Sequence, residues 1–542
     1  MVYTNVKFNI SDPIWQKVYD AAEEKARLNV LSFCSRPVLI EGGGYNGIWL
    51  ETQPMGGEMY AMRNMEAAMN NQLFFMENIR ADGRIPSVIR FTGDEKHPLD
   101  LMFSHFQGYC FPYHALNMYF LNGHDREYLE MLYDVLERFD AYLWKHRDSD
   151  GDGCLESWCV WDTGEDNCTR FLGGPEAWAG ETAPYGQARL PYESMDVMAY
   201  SIDGRQTLSE IAAILFPETS LSDEWQKRAD EVRGKLRSYL WQDKRGACYD
   251  RDCDNRVMDV LIHNNLRVMY HGGFDSYMAS RFVGEHLLNP DEFWTPMPLP
   301  SIAANDKLYL SFPNNNWSGQ SQGLTYQRAI RALENYGFDR LIPVLGRKLC
   351  RAVGEVGHDL RFTQQYDTYT MRPSEYGDGT YGPAILAFLE YTNRMYGVKP
   401  ERDKLKWSSV DDGTESEYTQ YFGDNRYTLK NGRMCEAYIN DRKIFTCASG
   451  RTTVPMSRPS IITLLLAASA RCISSRKART AGMADTFEAC IAACGVRIFS
   501  ETSSPFRKTR CSPPMNRSST DTFGRSASTA FVSFVSSMCW DI

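Results

Sequence analysis

From Asp125 to His146 the apolar residues Leu129, Leu132, Leu136, Phe139 and Leu143 recur at helical spacing with acids and arginines between them. That pattern predicts an amphipathic helix with one buried face. Gly57 to Ile79 repeats it with Met62, Met65, Met69 and Met76, a methionine stripe of the kind that lines a core. Further helices are predicted over 13–28, 193–215, 222–241, 325–336, 339–353 and 383–396, each opened by a capping or turn residue. The body of the chain therefore reads as all-α. No Gly/Pro/Ser-rich linker interrupts residues 12–397, which predicts one closed helical domain. Residues 426–447, with Tyr427-Thr-Leu and Lys443-Ile-Phe-Thr-Cys, alternate enough to predict short strands beyond it.

With 542 residues, 43% hydrophobic and 24% charged, the composition excludes a disordered chain or a fibre. The apolar stretch around Ile461 to Ala468 is far shorter than the roughly 20 residues a membrane helix needs. Residues 1–9 lack a secretory apolar run, so a soluble cytoplasmic protein is expected. Cysteines such as Cys34, Cys110 and Cys350 sit singly in apolar stretches and predict buried reduced thiols. A net charge of −10 argues against a nucleic-acid surface. It also hides a division, because residues 451–542 hold 12 Lys and Arg against 5 Asp and Glu, and none of the 30 tyrosines. The body is thus about −17 and the tail about +7. This basic Ser/Arg/Thr-rich tail lacks sustained periodicity, and is expected to be a non-native, frame-shifted or disordered segment. A genuine basic tail that binds RNA or a partner is the rival expectation.

Between the helices lie long loops rich in Trp, Tyr, Asn, Gly and acids. Such loops suit a sugar, whose apolar ring faces stack on aromatic rings while its hydroxyls take Asn, Gln, Asp and Arg. In one of them Asp148, Asp150 and Asp152 precede Gly153 as in a calcium loop, but the twelfth position is Cys159 rather than Glu. A side-chain-capped turn is expected there, with structural calcium as the alternative. The same loop continues Trp161-Asp-Thr-Gly-Glu165-Asp166-Asn167-Cys-Thr-Arg170-Phe. A carboxyl held against an indole loses hydration and has its pKa raised, as a general acid requires. No Gly-rich phosphate loop, HExxH or GxSxG motif occurs, and the nine histidines do not cluster as metal ligands. His263 reads as a satisfied helical histidine.

The stretch Gly164-Glu165-Asp166-Asn167-Cys168-Thr169-Arg170-Phe171 resembles the Gly-x-Asp-Asn-Ser-Pro-Arg-Phe motif of six-hairpin glycosidases related to glycoside hydrolase family 63. Gly56 to Tyr60 with Arg63, Asp82 to Pro86, Tyr192 to Asp196, and Asn316 to Gly319 agree with that family in order, so the resemblance spans roughly residues 42–397. It implies an (α/α)6 toroid over 1–400, the start of a small β segment over 401–450, and Asp166 as general acid of an inverting hydrolase acting on an α-linked di- or oligosaccharide or a glycosylated small molecule. The family's base Glu falls where this chain has Gln364, and an amide cannot accept the proton. Glu375 is the carboxylate favoured in its place, with Asp367 as the alternative. Trp49, Glu51, Gln53, Arg63, Trp161, Asn167, Arg170, Trp317, Gln320, Gln364 and Asp367 are the expected sugar contacts. Arg63 could instead pair with Glu66, and Trp317 and Gln320 are expected on the binding rim. A second expectation is a catalytically weakened carbohydrate-binding protein that keeps the funnel without an orthodox base.

Overall fold

The structure is a computed structural model that describes residues 1–313, 316–357, 359–373 and 377–456. Glu375 and residues 457–542 lie outside the described residues. Twelve α-helices are present among the described residues: α1 (Pro13–Leu28), α2 (Gln53–Tyr60), α3 (Met65–Glu77), α4 (Pro112–Leu121), α5 (Arg126–His146), α6 (Met195–Leu215), α7 (Leu221–Tyr239), α8 (Asn264–Tyr270), α9 (Ser276–Phe282), α10 (Gly323–Glu334), α11 (Leu341–Arg351) and α12 (Gly382–Tyr396). Among the described residues, no helix is long and apolar enough to cross a membrane.

The helices divide by burial. Every residue of α2 and α12 is buried, as are most of α4, α6, α8 and α10, whereas α1, α5 and α7 bury one face only. A helix buried all round must be surrounded by other elements. Accordingly, α2 packs on α4, α4 on α6, α6 on α8, α8 on α10, α10 on α12, and α12 returns to α2. The half-buried helices cover this inner set: α1 lies on α12, α5 and α7 on α6. Local chemistry sets the starts. Asp12 accepts from the amides of Ile14 and Trp15 ahead of Pro13, and Asp125 and Ser194 cap α5 and α6 in the same manner.

Two elements depart from the hydrophobic pattern for local reasons. The segment 57–79 is broken after Ala61, because the Asn64 side chain accepts from Ala67 N and starts a new helix. The short helix α4 is apolar on nearly every face and carries no amphipathic signal. Cys34 is exposed, unlike Cys110 and Cys350, so its apolar neighbours do not bury it.

A five-stranded antiparallel sheet follows the order 4–10, 416–422, 425–431, 435–439, 442–447. The sheet joins residues from both sides of position 400: the N-terminal strand Thr4–Ile10 pairs along its length with Ser416–Phe422, and Phe8 stacks on Tyr396 of α12 at 6.0 Å. A second sheet joins 398–401, 404–409 and 450–455. Its last strand crosses the compositional break at 451. Pairing with Lys404–Ser409 uses the backbone and is indifferent to the change of side chains.

Beneath the inner helices this second sheet closes on a buried ionic cluster. Lys399 lies 3.2 Å from Glu58 and 3.0 Å from Glu390. Glu58 also accepts from Asn117 at 2.5 Å and meets His114 at 3.1 Å. Arg394 bridges Glu390 and Glu334, and Lys406 and Arg451 add two further cations to Glu334. Burial alone would raise the Glu58 carboxyl, but Lys399 and the His114 hydrogen bond hold it well below the usual range. Lys399→Met should cost about 3 kcal/mol, because it leaves the buried Glu58 carboxylate without its lysine while Glu390 keeps Arg394. Denaturant midpoints measure this, and a loss under about 1 kcal/mol would contradict it.

Candidate active site

The loops that enter the six inner helices converge. Glu51 lies two residues before α2, Gln107 and Gly108 precede α4, and Glu193 and Ser194 lead into α6. His263 caps α8, Gln320 and Gln322 precede α10, and Tyr381 stands at the start of α12. The positive ends of these helices thus face a site in which most of the titratable groups are acids.

One wall is the loop carrying Asp166. Arg170, wholly buried, bonds Glu165 at 2.5 Å and also Asp250, whose other oxygen accepts from Met195 N at 2.9 Å. Glu165 further accepts from Thr163 Oγ1 at 2.7 Å and Asn264 Nδ2 at 3.2 Å, and lies 3.3 Å from His263. Burial opposes its ionisation, yet Arg170 and its other donors hold the Glu165 carboxyl well below the ordinary range. Asp196, the next acid inward, is pushed by burial up to about 6 although Arg267 opposes it. The loop is stapled to the segment before α10, where Trp317 N donates to the Asp166 carbonyl at 3.1 Å and Ser318 Oγ to the Asn167 carbonyl at 3.2 Å. Asn167 adopts φ +54°, a left-handed conformation that Asn tolerates. The turn leaves Asp166 half-buried beside that segment.

A second wall, which touches the Asp166 loop at Gly164, holds Glu41 and Glu51, both buried. Glu51 accepts from Gln107 Nε2 at 3.1 Å and pairs with Arg328 at 3.4 Å, while Arg328 donates to the Gly108 carbonyl at 2.9 Å. A Cβ on Gly108 would come within 2.8 Å of Glu51, and one on Gly164 would collide with it, so both positions require glycine. Burial drives the Glu51 carboxyl up to about 7, against the pull of Arg328, Arg267 and the Gln107 hydrogen bond. Glu41 is pushed well above the ordinary range by burial and by the neighbouring Glu51 and Asp166. Beside it Tyr45 donates to Gln364 Oε1 at 3.1 Å and its ring stands 6.4 Å from that of Tyr381.

A family model for the mannosylglycerate hydrolase MGH1-like glycoside hydrolase domain matches residues 50–382. The chain belongs to the MGH1-like glycoside hydrolases. Solved structures share its fold at low identity. A sialidase superposes with TM-score 0.64 at 12% identity, over 82% of this chain, which spans only 41% of that one. The family 63 mannosylglycerate hydrolase from Thermus thermophilus in complex with glucose gives 0.56 at 16%, covering 69% of this chain and 99% of that one. Neutral trehalase from Saccharomyces cerevisiae gives 0.51 at 13%, covering 68% and 80%. A search of curated proteins found no significant match.

In this MGH1-like chain the expected contacts separate into three groups. Glu51, Asn167, Arg170, Trp317 and Gln364 belong to the two walls just described. Trp49 lies against Tyr45 at 5.5 Å, Trp161 against His105 at 5.2 Å, and Gln320 leads into α10 with Oε1 buried and unbonded. Gln53 and Asp367 serve local structure: Gln53 accepts from Trp49 N at 3.0 Å, and Asp367 caps its own turn by accepting from Thr370 N at 2.7 Å. Arg63 is a correction. It pairs with Glu23 on α1 at 2.7 Å, beneath Tyr19 and Tyr418, rather than with Glu66 or the site. Trp317 is another, since at 1% exposure it is a buried wall with Arg267 5.4 Å over its ring and not a rim. Arg170 orients Glu165 and Asp250. His263 is satisfied by Glu165 and Thr325, as expected.

Sequence reasoning missed Glu41, Arg267 and Arg328. The two arginines sit inside helices where charge normally means a solvated face. The family's match begins at residue 50, beyond Glu41.

The calcium-like turn lies close to this region. Asp148, Asp150 and Asp152 bring carboxylate oxygens within 4.8 Å of one another, and Asp150 does the same with Glu156 and Glu193. Glu193 Oε2 is buried without a hydrogen-bond partner, and burial with the neighbouring acids pushes this carboxyl up to about 8. The side chains of Asp148, Asp150 and Asp152 cap the turn by accepting from the amides of Gly153, Asp152 and Cys154.

The raised Glu51 carboxyl couples stability to pH. Between about pH 4.5 and 7 the folded chain keeps a proton that the unfolded chain releases, so stability falls as pH rises through that window. Glu51→Gln cannot ionise, so its stability relative to the native chain should improve from pH 5 to pH 8 by up to about 3 kcal/mol. Denaturant melts of both proteins at the two pH values check this. A pH-independent difference would contradict it.

Proposed function

We propose that the chain is an inverting glycoside hydrolase built as an (α/α)6 toroid, cleaving an α-glycosidic bond in a di- or oligosaccharide or a glycosylated small molecule, with Asp166 as general acid. The observation that carries this reading is the convergence of Asp166, Glu51 and Glu41 from loops entering the inner helices, since an inverting reaction needs one protonated and one ionised carboxyl on opposite faces of the sugar. The buried Arg170–Glu165 pair fixes the loop behind Asp166, so the acid is held in position without being neutralised by that guanidinium. Tyr45, Trp49 and Trp161 offer ring faces for the apolar side of a sugar. The relative from Thermus thermophilus is a mannosylglycerate hydrolase, and an α-mannosyl conjugate therefore heads the substrate panel. The base expected from the sequence, Glu375, lies outside the described residues. A carbohydrate-binding protein of weakened activity is the second reading, favoured by Gln364 where relatives carry the base.

Asp166→Asn should lower hydrolysis of substrates with poor leaving groups by about 10²–10⁴-fold and leave activated aryl glycosides far less affected, because only the former need protonation. Steady-state kinetics on both substrate types test the assignment. Equal losses would sink it.

We also propose that the Asp148 turn holds a calcium ion through Asp148, Asp150, Asp152 and Glu156, with Glu193 supplying a buried oxygen. Its chemistry is structural: a hard divalent cation would add to the single charge that Lys235 brings to Asp152 at 3.2 Å and neutralise more of this acidic cluster. Millimolar Ca²⁺ should raise the melting temperature of the native chain, and chelator should reverse the gain. A Glu193→Gln protein that responds as strongly would argue against the site.

A further inference from the structure

The described cysteines can be sorted by what stands next to them. Cys110 donates to the carbonyls of Glu51 at 2.5 Å and Leu50 at 3.5 Å, and Cys248 stands opposite Trp241 in its short sheet. Cys34 is exposed in the turn between strands 30–33 and 36–39.

Cys435 and Cys447 differ, because strand register sets them directly opposite each other. Strands Cys435–Ile439 and Arg442–Cys447 form an antiparallel hairpin around Asn440 and Asp441. The pairs Cys435 with Cys447, Glu436 with Thr446 and Ala437 with Phe445 run without a break, and the irregularity of the hairpin lies farther along, between Ala437 and Tyr438. Side chains alternate between faces along a strand, so opposed residues share a face. Burial agrees: Cys435, Ala437 and Phe445 are buried and Cys447 is half-buried, whereas the intervening Thr446 is exposed. Opposed Cα atoms in an antiparallel pair lie roughly 4.5–5.5 Å apart, inside the roughly 4.4–6.8 Å that a disulfide spans. The two thiols are near enough that Cys435 adds to burial in raising the Cys447 thiol.

The pair also lies where several parts meet. Cys435 Sγ is 3.5 Å from Asn431 Oδ1, and Asn431 Nδ2 donates to the Tyr396 carbonyl at the end of α12 and to Ser416 Oγ. Three residues beyond Cys447 the chain enters strand Gly450–Pro455, which pairs with Lys404–Ser409 in the second sheet. The open end of the hairpin is thus the point from which the chain passes from one sheet to the other.

We propose that Cys435 and Cys447 are a modification site, closing a reversible cross-strand disulfide that pins the open end of this hairpin. The inference rests on strand register and is independent of the hydrolase reading. Glutathione disulfide is a sufficient oxidant. The Cys447 thiolate, the more accessible of the two, attacks one of its sulfurs, releases one glutathione and leaves a mixed disulfide. The Cys435 thiolate then attacks the Cys447 sulfur and releases the second glutathione. The two protein thiols give up two protons and two electrons, and one glutathione disulfide becomes two glutathiones.

The test incubates the folded full-length chain with millimolar glutathione disulfide, blocks the remaining thiols, and maps tryptic peptides by mass spectrometry. Cleavage after Arg433, Arg442, Lys443 and Arg451 leaves Cys435 in Met434–Arg442 and Cys447 in Ile444–Arg451, so the disulfide joins two separate peptides. That joined pair should become the main form of both peptides, and dithiothreitol should separate it. The oxidised chain should melt at least about 2 °C above the reduced one, because the closed loop restricts the unfolded chain. Cys435→Ala and Cys447→Ala proteins with native-like circular dichroism should lose both the link and the rise. Absence of the joined pair while the exposed Cys34 carries glutathione would overturn the proposal. So would a joined pair that forms only in denaturant, or an equal rise in melting temperature in either variant.

Discussion

Charge buried out of water must be paired or suppressed, and the arrangement of this protein follows from that requirement. The inner helices are covered on all sides, so every polar group at their two ends has to find its partner inside the protein. At one end the answer is pairing. Lys399, Arg394 and Arg451 neutralise Glu58, Glu390 and Glu334, and thereby fasten the second sheet to α2, α10 and α12. At the other end the answer is divided. Arg170 ionises Glu165, while Glu51 and Glu41 are left in surroundings that favour the proton.

That division is what makes the second end a candidate for chemistry. Fully paired acids cannot exchange protons with a substrate, whereas acids raised by burial beside a half-buried aspartate can. The positive ends of the inner helices lower the cost of gathering so much negative charge. Glycines at 108 and 164 allow Glu51 to approach the neighbouring backbone, and Asn167 allows the sharp turn that follows Asp166.

Much of this was legible in the sequence where local rules dominate. The amphipathic helices α1 and α5 declare themselves by period and capping and α7 by period, while the dense acid, indole and arginine loop marks out Asp166 as a candidate. What depends on distant partners was not legible. Arg267 and Arg328 look like surface charges on helices and are buried only because other helices surround them. Arg63 lay within reach of the site by residue type, yet Glu23 from α1 claims it. Glu41 carries no motif at all. Its placement depends on a glycine turn that meets α12, the last helix of the chain's described residues, a contact no local pattern encodes. The strand at 450–455 likewise depends on backbone pairing with residues 404–409, which a change in composition does not reveal.

The proposed inverting hydrolysis delivers water and proton to opposite faces of one sugar, so the anomer released first reports on it directly. The most direct measurement follows the anomeric proton by NMR in the first minutes of hydrolysis of the best α-linked substrate, before mutarotation blurs the signal. The β-anomer appearing first, followed by slow equilibration to the α form, is the predicted result. First appearance of the α-anomer would mean retention through a covalent intermediate and would contradict the arrangement described for this site.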